Sequence, residues 1–126
     1  MKSRLIGLLS IVFAVFGMAL SPMAVQAAEK YNIWYVNPLP ATPDWGRSAR
    51  LFEEAADEMG DKATVTGPNL IDIPAMISQI EQAIADDADA IITCPLDPAA
   101  FKAVIDEAKS KGIIVASVAC VDDNAH

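Results

Sequence analysis

The sequence predicts an α/β fold, a three-layer doubly wound parallel sheet. Three observations carry the prediction. Past residue 27, stretches rich in β-branched and aromatic residues alternate with stretches whose apolar residues recur every three or four positions, in the order β-α-β-α-β-α-β. Every connection is short, and right-handed crossovers between such units build a parallel sheet with helices on both sides. Residues 90–93 and 113–118 are nearly continuous apolar runs, as in strands covered on both faces.

The elements follow in order. Tyr31, Ile33, Trp34, Tyr35 and Val36 give residues 31–36 strand composition, and Pro38 and Pro40 end the strand by removing ladder donors. Thr42 stands as an N-cap, with Pro43 at the first helical position and Asp44 in the first turn. Trp45, Ala49, Phe52, Ala56 and Met59 mark one helical face, and Gly60 stops that helix. Residues 63–66 form a shorter second strand closed by Gly67 and Pro68. Asp72 caps the second helix, whose buried stripe includes Ile73, Met76, Ile77, Ile80 and Ile84. Residues 90–93 are the third strand. Asp97 and Pro98 open the third helix, Phe101, Val104, Ile105 and Ala108 face inward, and Gly112 ends it. Residues 113–118 are the fourth strand. At Val115 two readings stand: a lysine blunts an exposed outer edge, or it costs stability because the side chain packs under a helix.

The segment before these elements reads as an address. Lys2 and Arg4 precede an apolar run over residues 5–20, interrupted only by Ser10, and Val25 and Ala27 fit a cleavage site. The run is a little short of the ~20 residues that span a bilayer, and an uncleaved anchor is the alternative reading. Residues 1–27 are thus expected to be a signal peptide, and residues 28–126 an exported chain with no stable membrane insertion after cleavage. That places the chain in an oxidising compartment such as the periplasm.

Composition excludes several functions. At 126 residues the chain holds one domain at most. A hydrophobic share of 53% rules out a disordered chain. With 17 acidic against 9 basic residues, nucleic acid is not an expected partner, because phosphates must be neutralised by Lys and Arg. The one histidine, His126, ends the chain and leaves no catalytic relay and no multi-histidine metal site. Phosphate-cradling glycine loops are missing. No enzymatic activity, metal or cofactor is expected.

In an open parallel α/β sheet, ligands bind outside the carboxyl ends of the strands. Here those ends are residues 37–45, 67–72, 94–98 and 119–124. The candidate ligand residues are Asn37, Asp44, Trp45, Asp97 and Asp122. An aromatic plate ringed by amides and carboxylates suits a sugar or polyol, since the plate covers C–H faces while the polar groups meet hydroxyls. Each candidate has a structural alternative. Asp97, like Asp72, is placed to cap a helix. Trp45 is in phase with the apolar face of its helix, and Asp44 suits the helix dipole. Asn37 can open a turn before Pro38, and Asp122 can be a solvated residue near a chain end. Cys94 and Cys120 follow the third and fourth strands, and two readings stand: a disulfide, or two buried free thiols.

The chain resembles the N-terminal lobe of the periplasmic sugar-binding proteins that serve ABC importers, nearest the ribose-, rhamnose- and autoinducer-2-binding type. The resemblance spans about residues 31–122. It rests on Gly67-Pro68, Ile77-Ser78-Gln79-Ile80-Glu81-Gln82-Ala83-Ile84, Asp89-Ala90-Ile91-Ile92, Pro95-Leu96-Asp97-Pro98-Ala99-Ala100 and Lys111-Gly112-Ile113-Ile114-Val115, in that order. It implies a periplasmic binding protein-like fold of type I. The implied ligand is a small sugar or polyol held between two hinged lobes, and the implied partners are ABC permease subunits. A sensor that feeds a signalling system is the alternative. The family usually ends its fourth strand in a ligand-binding aspartate. Ala119 stands there in this chain, and Asp122 is the candidate to replace it. The family also carries a second lobe, so residues 28–126 are expected to be a truncated N-terminal lobe that binds no sugar tightly alone.

Overall fold

The structure, a computed structural model, describes residues 30–120. The proposed signal segment, residues 1–27, lies outside the described residues, as does Asp122. Seven elements follow one another: β1 Asn32–Val36, α1 Pro43–Met59, β2 Lys62–Thr66, α2 Ile73–Ala85, β3 Ala90–Thr93, α3 Pro98–Ser110 and β4 Ile114–Ser117. Their order is the one read from the sequence. Ile113 falls outside β4 because its N–H closes the end of α3 on the Ala108 carbonyl at 3.1 Å.

The sheet is parallel, in the order β2-β1-β3-β4. The step from β1 to β2 runs one way, and the steps from β2 to β3 and from β3 to β4 run the other way. With every crossover right-handed, α1 lies on one face and α2 with α3 on the opposite face. Trp34, Val36, Ile91 and Val115 point into the α2–α3 side, where Met76, Ile80, Phe101 and Ile105 are fully buried. On the α1 side the Tyr35 and Phe52 rings meet edge to face, their centres 5.7 Å apart.

The helix ends differ. Asp72 Oδ1 accepts from the Ala75 N–H at 3.0 Å, and Asp97 Oδ1 from those of Ala99 and Ala100 at 3.1 and 3.3 Å. Thr42 occupies the N-cap of α1, but its side chain caps nothing. Its hydroxyl instead donates to the Leu39 carbonyl at 3.0 Å, within the preceding loop. Gly60 ends α1 in the left-handed region, φ 79°.

One expectation about β3 and β4 needs correction. Among the described residues neither strand is covered on both faces. Ile91 and Thr93 are buried while Ala90 and Ile92 are only half-buried, and Ile114 is 60% exposed beside a fully buried Val115. The cause is topological. Only the β1-to-β2 crossover runs on the α1 face, and α1 packs over the β2 side. Val115 is therefore core, and Ile114 is the exposed apolar residue of the outer strand.

Candidate functional site

β1 and β3 are neighbours whose following loops leave toward opposite faces, so the switch point of the sheet lies between their carboxyl ends. Loop 37–42 leaves β1 there and leads into the first turn of α1. Asn37 extends the β1–β2 ladder by donating its N–H to the Thr66 carbonyl at 2.8 Å. Gly67, next along β2, lies so close that a Cβ on it would fall 1.9 Å from the Asn37 backbone oxygen. The first turn of α1 then carries Asp44 and Trp45 to the rim of the sheet.

A depression of about 310 Å³ opens beside them, lined by Tyr35, Asp44, Trp45, Ser48, Val118 and Ala119. It reaches from the end of β1 to the end of β4 on the α1 face. Its walls are apolar, the kind of surface that takes the C–H face of a ring. The exposed Asp44 carboxylate sits at the border, as an acceptor for hydroxyls. Beneath the floor runs a hydrogen-bond chain. The Ser48 hydroxyl donates to the Trp45 carbonyl at 2.8 Å. That uses its one proton, so the Tyr35 hydroxyl is the donor in the 3.0 Å contact with Ser48 Oγ.

The structure sorts the sequence candidates. Trp45 and Asp44 lie together at the depression. Asn37 does not meet solvent, which corrects its reading as a ligand contact. It is fully buried, its Oδ1 accepts from the Leu39 N–H at 3.0 Å, and its Nδ2 donates to the Trp45 carbonyl at 2.9 Å. Asp97 is exposed and spends one carboxylate oxygen on the α3 cap. Asp122 lies outside the described residues. Cys94 and Cys120 form a disulfide with Cα atoms 5.2 Å apart, which ties the β3–α3 loop to the segment after β4. That segment turns at Ala119, φ 59°, where the Ser117 hydroxyl donates to the Cys120 carbonyl.

Tyr35, Ser48 and Val118 were not read from sequence as lining residues, whereas Ala119 opens a strand-end segment read as a ligand edge. Tyr35 had a signal, since it alternates with the core residues Trp34 and Val36, and Ser48 follows Asp44 by one helical turn. Two further depressions, of about 250 and 380 Å³, involve Asp89 and Gly112 at the amino-terminal edge of the sheet. They are away from the switch point. Among the described residues no group of three or more His, Cys, Asp or Glu could hold a metal, and no helix is long and apolar enough to cross a membrane.

A family model described as a periplasmic binding protein domain matches residues 33–125. No curated sequence relative matches the chain. Solved structures do. An ABC transporter solute-binding protein from Clostridium phytofermentas, with bound L-rhamnose, superposes with a TM-score of 0.73 at 21% identity over 79% of this chain. GanP, a glucose-galactose binding protein from Geobacillus stearothermophilus, gives 0.70 at 27% identity over 78%. A XylFII–LytSN complex gives 0.71 at 23% identity over 77%. This chain spans 31%, 35% and 36% of the lengths of those three chains, respectively.

Proposed function

Because the chain belongs to the periplasmic binding protein domain family, we propose that residues 28–126 form the N-terminal lobe of an extracytoplasmic receptor for a small sugar or related polyol. In this reading residues 1–27 export the chain, and the receptor delivers its ligand to the permease of an ABC importer. The lobe binds and presents the ligand and does no chemistry on it. The observation that carries the reading is Trp45, half-buried in an apolar depression at the switch point with Asp44 on its border. The indole would cover a ring face while Asp44 accepts from ring hydroxyls. The bound L-rhamnose and the glucose-galactose specificity of two similar proteins support the ligand class.

A second reading is favoured by one observation, the likeness to a protein solved in a XylFII–LytSN complex. In this second reading the lobe serves as a sensor that passes ligand occupancy to a partner. Uptake of radiolabelled L-rhamnose, D-glucose and D-galactose, compared between the source organism and a strain lacking the gene, separates the two. The transport reading expects uptake of at least one sugar to fall in the deletion strain. Unchanged uptake with lost sugar-dependent transcription would establish the sensor instead.

A further inference from the structure

We propose that Asn37 is a positioning residue for the ligand face, clamping the first turn of α1 so that Trp45 and Asp44 hold their places. The proposal rests on the reading of the Trp45 depression as the ligand site. α2 and α3 are secured by their own capping aspartates, but α1 has no side-chain cap. An uncapped first turn frays, and both Asp44 and Trp45 stand in that turn.

Side chains hold it instead, one from the loop before the helix and one from the helix's own next turn. The Trp45 carbonyl receives two side-chain donors, Asn37 Nδ2 at 2.9 Å and Ser48 Oγ at 2.8 Å. Asn37 is itself held on three sides. Its backbone N–H is bonded to Thr66, its Oδ1 accepts from Leu39, and Gly67 is packed against its carbonyl. The amide thus transmits the fixed end of β1 to the carbonyl of the residue that carries the plate. Asn37 itself is fully buried, so truncating it removes a donor supplied from inside the fold.

The test uses the exported full chain with one tryptophan at a time. Trp34→Phe leaves Trp45 as the sole reporter. It loses no hydrogen bond, because the buried Trp34 indole N–H has no partner among the described residues. Trp45→Phe leaves Trp34 as the core control. Asn37→Ala is expected to make Trp45 more accessible to acrylamide while Trp34 stays as protected as before. Exchange of the Gly46 amide, which bonds to the Thr42 carbonyl at 2.8 Å, is expected to rise about fivefold, as for one lost buried hydrogen bond. Val104→Ala, a core truncation in α3, controls for general destabilisation and is expected to leave Trp45 and Gly46 unchanged. Should Asn37→Ala fail to fold, Ser48→Ala removes the other donor and is expected to move both readouts the same way. The clamp is overturned if neither readout moves beyond the Val104→Ala control. The reading beneath it fails separately: if Trp45→Ala leaves the response to L-rhamnose and D-galactose intact, Trp45 is no ligand plate, whatever Asn37 does.

Discussion

Gly67 stands against Asn37 so closely that a single added carbon would lie 1.9 Å from the Asn37 backbone oxygen and 3.0 Å from its carbonyl carbon. The loops after β1 and β2 are therefore pressed together at the carboxyl edge of the sheet, next to the turn that carries Trp45. The obstacle is backbone, which cannot swing away as a flexible side chain would.

Gly67→Ala should accordingly destabilise the chain by about 3 kcal/mol, the upper range for overpacking. Urea denaturation checks this, with a lowered midpoint and an unchanged slope. A midpoint equal to that of the parent would mean that the two loops part easily.

Asp97 should behave as a cap. Asp97→Ala is expected to cost about 1 kcal/mol, and Asp97→Asn a few tenths, because the amide oxygen still accepts from Ala99 and Ala100. Equal losses in the two variants would show that the charge, not the cap, matters there.

The Cys94–Cys120 pair encloses a segment with a sequence separation of 26. We expect it to form in the exported protein and to contribute about 3 kcal/mol by restricting the unfolded chain. Thiol counting on denatured periplasmic material decides the first point, and two free thiols would refute it. Reduction should lower the Tm if the first point holds.

The two neighbours Ile114 and Val115 should respond oppositely to lysine. Ile114 is 60% exposed on the outer strand, so Ile114→Lys should reduce self-association with little loss of stability. Val115 is fully buried, and Val115→Lys should cost at least about 3 kcal/mol by burying an unpaired charge. Sedimentation and thermal melting of both variants provide the check. Equal effects would mean that β4 does not present its faces in this way.

The elements were legible because period and punctuation agreed. Asp97-Pro98 and Asp72-Ile73-Pro74 announce helix starts, Gly60 and Gly112 announce stops, and Trp45, Ala49, Phe52 and Ala56 trace one face. The three helix starts differ: Asp72 and Asp97 cap, while the Thr42 hydroxyl turns back to Leu39. The turn that Asn37 opens was legible, and its Oδ1 accepts from the Leu39 N–H two residues on; its bond to the Trp45 carbonyl was not, because that partner is brought near only by the path of loop 37–42. Gly67 was read as a strand terminator, since its close approach to Asn37 requires knowing that β1 and β2 are adjacent. The exposure of Ile114 follows from strand order, which hydrophobic runs alone do not reveal. Val118 and Ala119 entered the site because β4 ends on the same side as the first turn of α1, again a matter of topology.

The most direct test of the central claim is amide and indole chemical-shift mapping on the exported chain, titrated with L-rhamnose, D-glucose and D-galactose. The account predicts weak, millimolar binding of at least one sugar, with shifts concentrated at the Trp45 indole, Asp44, Ser48, Val118 and Ala119. Shifts confined to Asp87, Asp89 and Lys111 at the opposite edge, or none at the Trp45 depression with any of the three sugars, would contradict it.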